Sequence, residues 1–266
     1  ENYMLDDIFN YFPNRIKELI IRKANINDLE EIRIRTNRQI FLKTGQEEVK
    51  IEYIVSQQDV LEILQKICDN SIYSYQTQIC NGYITLKGGH RVGITGNVVI
   101  ENGKVINISY IYSLNFRIAK QILGCSRKIW KYIINEKDKT IFNTIIVSPP
   151  GRGKTTILRD LVRNISNGIN EMSFKGITVG VVDERDEIAA MYKGCPQNDV
   201  GIRTDIISNV PKHIGMKMLI RSMSPKVIVA DEIGTKEDVE AINYAVCSRS
   251  KRNIYSTWGK HRGYYF

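Results

Sequence analysis

The sequence predicts an α/β fold: a domain built on a parallel sheet over residues 126–266, preceded by a smaller α+β domain over residues 1–125. Three observations predict it. From Thr140 onward, strand patterns and helical patterns alternate along the chain. The strands among them are continuous runs of Val, Ile and Ala, as strands buried on both faces require. Upstream, helical periodicity gives way to several strands and a hairpin turn, the pattern of a separate α+β unit.

In chain order, residues 4–22 place Ile8, Phe9, Ile16, Leu19 and Ile20 at helical spacing, and Pro13 divides the stretch because its ring cannot continue a helix. Glu31 to Phe41 alternates in part as a strand, with Ile32 and Ile34 inward and Arg33 and Arg35 outward. Helical patterns follow at Gln57 to Cys68 and around Ser71 to Cys80. Tyr83 to Leu86, His90 to Ile100 and Val105 to Ile111 read as strands, the last two joined by Glu101-Asn102-Gly103-Lys104, a turn with Gly where positive φ is needed. A helix from Arg127 to Asn135 leads into the second domain. There, strands are expected at Ile141 to Val147, Ile177 to Asp183, Val227 to Asp231 and Asn253 to Thr257. Helices are expected at Thr155 to Ile165, His213 to Met223 and Lys236 to Cys247.

With 266 residues, 42% apolar and 25% charged, the chain has the composition of a soluble globular protein. It contains no apolar run of the roughly 18 residues that a membrane span needs and no signal-peptide pattern, so a cytoplasmic location is expected. It begins at Glu1 rather than Met, so residues before it are expected to be missing. The five cysteines are scattered with no CxxC pair, which argues for reduced thiols over a zinc site or disulfide framework. The net charge of +9 divides as +4 over residues 1–140 and +5 over residues 141–266, too evenly for a basic arm. The one dense basic run, Ser248 to Arg262, reads as a solvated face.

Ser148 to Thr156 reads SPPGRGKTT, between the strand FNTIIV and a helical pattern. A glycine-bearing loop at a helix N-terminus lets backbone N–H groups close around phosphates, and the helix dipole favours their charge. The pattern G-x-x-x-x-G-K-[ST] is met except at its first position, where Ser148 stands for Gly. Pro150, Gly151, Arg152, Gly153, Lys154, Thr155 and Thr156 are therefore expected to hold ATP, with Lys154 on the β and γ phosphates and the Thr155 hydroxyl on Mg²⁺. Gly-Lys-Thr also arises by chance, so the motif needs support from elsewhere. Lys226 to Gly234, KVIVADEIG, supplies it: an apolar strand ending in Asp231, expected to hold the Mg²⁺, and Glu232, which can polarise the attacking water. The plain alternative is a strand followed by an acidic helix start.

A second acidic strand end, VVDERDEI, gathers Asp183, Glu184, Asp186 and Glu187 around Arg185. Four carboxylates within five residues repel one another unless something compensates them. A nearby Mg²⁺-nucleotide would do so, and so would solvent with Arg185 as local counter-ion.

With both acidic strands, the run GCPQNDVGIRTDIISNVPKHIGMKMLIRSMSPKVIVADEIG, and the upstream GYITLKGGHRVGITG and SLNFRIAK, the sequence resembles the stage III sporulation AA family. These are ATPases of endospore formation related to those of type II and type IV secretion. The resemblance extends from about Glu30 to Gly234. It implies a RecA-like P-loop fold and a homo-hexameric ring, peripheral on the mother-cell membrane face. Such a ring would hydrolyse ATP to energise a secretion-like channel, with membrane-embedded components as partners and no specific nucleic acid. By the same resemblance Lys154 and Thr155 belong to the Walker A loop, Asp231 and Glu232 to the Walker B strand, and Glu187 matches the catalytic glutamate of the acidic box. Arg117 resembles an arginine that the N-terminal domain brings to the nucleotide, and Arg91, Arg203 and Arg221 lie in matching segments. Two departures stand out. Trp258 stands where the family has a histidine, and the tail KHRGYYF stops short of the family's usual length, so a C-terminally truncated domain is expected.

Two other readings stay open on the residues alone. One is a nucleic-acid-dependent P-loop ATPase, suggested by a pI of 9.2 and by tyrosines able to stack bases. The other is a nucleotide-binding scaffold without turnover, suggested by Trp258 and the short C-terminus.

Overall fold

A computed structural model describes residues 7–25, 28–45, 47–149, 151–247 and 253–258; for Cys247 and residues 253–258 it describes the backbone only. The chain divides into two compact units, residues 1–120 and 121–266. Divided there, the charge is +1 and +8 rather than nearly even. Five of the eight belong to Arg249, Lys251, Arg252, Lys260 and Arg262, outside the described residues, as is His261.

The first unit is an antiparallel sheet with helices on one face. Its strands are β1 (Leu29–Arg35), β2 (Gln39–Thr44), β3 (Glu47–Ile54), β4 (Tyr83–Thr85), β5 (Arg91–Glu101) and β6 (Lys104–Arg117), in the order β3-β2-β1-β6-β5-β4. Side chains alternate between faces. Ile32, Ile34, Ile40, Leu42, Leu114 and Phe116 therefore all point into one core, with Ile16 and Ile20 of α1 (Asn14–Lys23) and Val60, Ile63, Leu64 and Ile67 of α2 (Gln57–Ile67). α1 starts directly after Pro13, as its ring dictates. The start of α2 is fixed by a capping box: Ser56 Oγ accepts from the Asp59 N–H at 3.1 Å, and Asp59 Oδ2 accepts from the Ser56 N–H at 2.8 Å.

Several elements differ from the periodicity. Glu31 to Phe41 is two strands, because Asn37 takes positive φ (59°) and turns the chain between Ile34 and Ile40. β3 has no apolar run to announce it; EEVKIEYI buries only Ile51. The segment after Ser71 is a short 3₁₀ turn followed by five helical residues, and the helix near Arg127 covers only Trp130–Ile133. The hairpin at Asn102-Gly103 forms as expected, with φ of 50° and 74°.

The second unit carries β7 (Thr144–Val147), α3 (Lys154–Asn167), β8 (Val179–Asp183), β9 (Thr204–Ser208), α4 (Lys212–Ser222), β10 (Val227–Glu232), α5 (Lys236–Cys247) and β11 (Asn253–Trp258). Its sheet runs β9-β8-β10-β11-β7, and every pairing is parallel. Val181 and Val229 pack under Leu158, Leu161 and Ile165 of α3. Their neighbours Val182, Ile228 and Ala230 pack with Met216 and Leu219 of α4 and Ala241 and Ala245 of α5. Burial on both faces explains why these strands read as unbroken apolar runs. β9 escapes that pattern: TDIIS is half-buried throughout.

The candidate nucleotide site

Parallel strands bring their C-terminal ends to one edge of the sheet, and ligands of such sheets bind outside that edge where the strand order reverses. Here the chain leaves β7 at one side, forms β8 and β9 at the other, and returns through β10 to place β11 between β10 and β7. The register aligns Val147 with Trp258, and Thr257 with Glu232. The loop after β7 and the acidic end of β10 therefore share the edge, separated by one strand, or roughly 10 Å.

That loop, residues 148–153, leads into α3. Gly151 and Gly153 have φ of 71° and 79°, in the left-handed region. A Cβ at either would meet nothing within 4 Å, so it is the backbone conformation rather than space that calls for glycine. Gly153 is the N-cap of α3, and no side chain caps that helix. The first-turn N–H groups, including those of Lys154, Thr155 and Thr156, are thus left to an anion. Lys154 Nζ folds back over the loop, donating to the carbonyls of Ser148 at 2.8 Å and Pro149 at 3.1 Å. Thr155 and Thr156 are half-buried and Arg152 is exposed. Pro150 and the Trp258 side chain lie outside the described residues.

At the end of β10, Asp231 is 5% exposed, and among the described residues neither carboxylate oxygen has a partner at hydrogen-bond distance. Lys212 Nζ stands 3.5 Å away and also contacts the Glu184 carboxylate. Burial pushes the Asp231 carboxyl up to about 6; Lys212 opposes the shift, and the charges of Asp183 and Glu184 add to it. Lys212, itself buried, keeps its ammonium above the usual range: burial lowers it, and the Glu184 contact with the surrounding acids outweighs that. A buried carboxylate whose neighbouring ammonium stands at 3.5 Å and is shared with Glu184 suits a hard cation such as Mg²⁺, which takes few protein ligands and completes its shell with phosphate and water. The raised pKa also has a consequence for stability. A carboxyl whose folded pKa exceeds its unfolded value stabilises below the unfolded value, near 4, and that contribution is lost as pH rises through about 6. Asp231→Asn is therefore expected to remove a fall on the order of 2–3 kcal/mol between pH 4 and 7, read as the difference between wild-type and variant urea unfolding curves.

The acidic cluster after β8 is not one group facing one cation. Asp183 is fully buried and accepts the N–H groups of Glu187 (2.7 Å), Ile188 (3.0 Å) and Ala189 (2.8 Å). Asp186, also buried, accepts from the Met191 N–H at 2.7 Å. Two of the four acids thus shape the loop, because backbone donors compensate their charge. Glu184 pairs with Lys212, Glu187 is half-buried on the loop, and Arg185 lies 3.8 Å from Glu232 across solvent. Arg159 of α3 ties this loop to the phosphate-loop helix, donating to the carbonyls of Glu187 (2.7 Å) and Ile188 (2.9 Å). Asp160, one residue on, is 1% exposed and accepts from Gly124 N, Ser126 N, Ser126 Oγ and Arg163.

Of the arginines in matching segments, Arg203 is committed elsewhere. Its guanidinium donates to the Ser166 carbonyl at 2.9 Å, near the far end of α3 and roughly 18 Å along the helix from Lys154. Arg221 is exposed at the end of α4, away from Lys212 at that helix's start. Arg91 and Arg117 belong to the first unit, where they pair across β5 and β6. Lys212, Arg159 and Asp160 did not emerge from the sequence. One signal was present for Lys212: a lysine in the first turn of a helix opposes the dipole and needs acids nearby.

The structure is similar to the ATPase DotB of Legionella pneumophila (TM-score 0.58, 15% identity, 94% of this chain and 67% of that one). It is also similar to the pilus retraction motor PilT solved with bound ADP (TM-score 0.59, 13% identity, 93% and 66%). At such identities the likeness concerns fold alone. In sequence, the chain is 39% identical over 240 residues to stage III sporulation protein AA of Bacillus subtilis (strain 168), covering 90% of this chain and 76% of that protein. The profile of the family described as Sporulation stage III, protein AA matches residues 4–261. With the phosphate loop and both acidic strands inside that match, the chain belongs to the Sporulation stage III, protein AA family.

Proposed function

We propose that the chain is a RecA-like P-loop ATPase that energises a sporulation-specific, secretion-like channel. The observation that carries this reading is the shared sheet edge, where a glycine loop with Lys154 and the helix N-terminus it leads into stand at the same edge as a buried Asp231 beside the Lys212 ammonium. In this reading Lys154 and the N–H groups of residues 151–156 hold the phosphates, while Thr155 and Asp231 hold Mg²⁺. The metal supplies charge neutralisation at the phosphates. Glu187 acts as the general base for the attacking water, Glu232 polarises that water, and Lys212 and Arg159 keep the acidic loop in position. By the family resemblance Arg117 is a further residue assigned to the phosphates, and a homo-hexamer docks on membrane-embedded channel components from the cytoplasmic side of the mother-cell membrane.

The test is binding of a fluorescent ATP analogue and phosphate release by the full chain with and without Mg²⁺. Glu187→Gln is expected to keep nucleotide affinity and to lose about 10²–10⁴-fold in release. Wild-type protein that binds tightly and releases no phosphate would instead support a scaffold without turnover. Release that requires single-stranded nucleic acid and disappears with salt would support the nucleic-acid-dependent reading.

A further inference from the structure

Antiparallel sheets often leave one face to solvent. In the first unit the helices and core occupy one face, and the other bears Arg33 and Arg35 of β1 opposite polar residues of β6 and β5. The register sets these side chains in cross-strand rows. Arg35 aligns with Ser113 and then Thr95, while Arg33 aligns with Asn115 and then Gly93. With Arg38 from the β1–β2 turn they line a concavity of about 610 Å³, and no acidic residue is among its lining.

Three further observations give that concavity a chemistry. Arg33 is compensated by Glu31 at 2.9 Å, but Arg35 and Arg38 make no ion pair with any carboxylate among the described residues. Arg35 is half-buried and its guanidinium stands 5.9 Å from the Phe41 ring centre, an arrangement that restrains the fork. Asn115 stands in the Arg33 row; its Oδ1 accepts and cannot meet an anion's oxygens, so contact of that amide with an anion falls to its Nδ2 donors. Guanidinium groups with no carboxylate beside them set up a positive field over the concavity, and their planar forks match phosphate oxygens. Ser113 and Thr95 add hydroxyl donors in the same row as Arg35.

We propose that this open face of the first unit's sheet is a binding site for a phosphate-bearing anion, held by Arg35 and Arg38 with Ser113, Thr95 and Asn115 beside them. The volume exceeds that of a single phosphate and leaves room for part of the molecule that carries it. Two sources share that chemistry, a free phosphorylated compound and a lipid headgroup.

The experiment uses the full chain in a Lys154→Ala background, so that uptake at the phosphate loop is not what is read. One arm titrates inorganic pyrophosphate by calorimetry. The other measures sedimentation with vesicles of phosphatidylcholine, alone or with about a third phosphatidylglycerol. At least one probe is expected to bind, and Arg35→Gln/Arg38→Gln to weaken it about tenfold or more, as loss of charge-assisted bonds predicts. Arg35→Lys/Arg38→Lys is expected to fall between, because charge remains and the fork is lost. Arg22→Gln/Lys23→Gln, which removes equal charge from α1, is expected to change nothing. Binding of pyrophosphate alone assigns a free ligand; binding only to the anionic vesicles assigns a headgroup. The proposal is overturned if neither probe binds, or if the Gln pair binds as well as its parent. Arg38→Gln alone, on an exposed turn, keeps the test valid should the pair fail to fold.

Discussion

Lys154→Ala is expected to lower ATP affinity and phosphate release by two to three orders of magnitude while leaving the unfolding midpoint unchanged. The reasoning starts from what the ammonium touches. Among the described residues it bonds two loop carbonyls, Ser148 and Pro149, and it belongs to neither core. Folding stability should not register its loss. In the proposed site the same ammonium is the one lysine on the phosphate loop, and removing such a preorganised donor to developing charge typically costs 10²–10³ in rate. Calorimetric titration with ATP and thermal unfolding of the same sample measure both halves. Unchanged nucleotide binding in the variant would place the site somewhere other than this loop.

The second large effect is structural. Asp183→Ala is expected to destabilise the second unit by about 4 kcal/mol and to abolish phosphate release even in protein that remains folded. The carboxylate is fully buried and gathers three backbone N–H groups at 2.7–3.0 Å. Each orphaned donor costs about 1–3 kcal/mol, reduced where the loop rearranges towards water. Burial raises the Asp183 carboxyl above its ordinary range, and the same three N–H groups oppose that shift. Rearrangement would also carry away Glu187, whose N–H and carbonyl are both fixed in this network, by Asp183 and Arg159. Urea unfolding beside a hydrolysis assay separates the two consequences. A variant with lower stability and wild-type turnover would mean that Glu187 does not depend on this loop.

Elements whose signal is local were legible. α5 runs from Lys236 to Cys247 as its periodicity predicts, β10 and β11 end within a residue of their expected ends, and the positive φ of Gly103 follows from the turn it occupies. The phosphate loop belongs to the same class, since its glycines, its lysine and the helix behind it are contiguous in the chain. What escaped was whatever depends on a distant partner. β9 reads as polar because its side chains are only half covered. The Asn37 turn was hidden inside what looked like one strand. Arg203 sat in a matching segment, yet its guanidinium is spent on the Ser166 carbonyl.

The sequence by itself determined the family and the alternation that yields a parallel sheet in the second unit, and it named the residues proposed to grip phosphate and metal. Those properties follow from residue type and spacing along one stretch of chain. Only the tertiary structure decided which acids after β8 turn inward to hold the loop. It also decided that Lys212, 19 residues before Asp231 in sequence, lies 3.5 Å from that carboxylate. The physical reason is that a charge takes its role from what surrounds it: backbone donors fix Asp183 and Asp186 as structural, while Asp231 is buried beside an ammonium with no backbone donor among the described residues, the acid proposed to meet a cation.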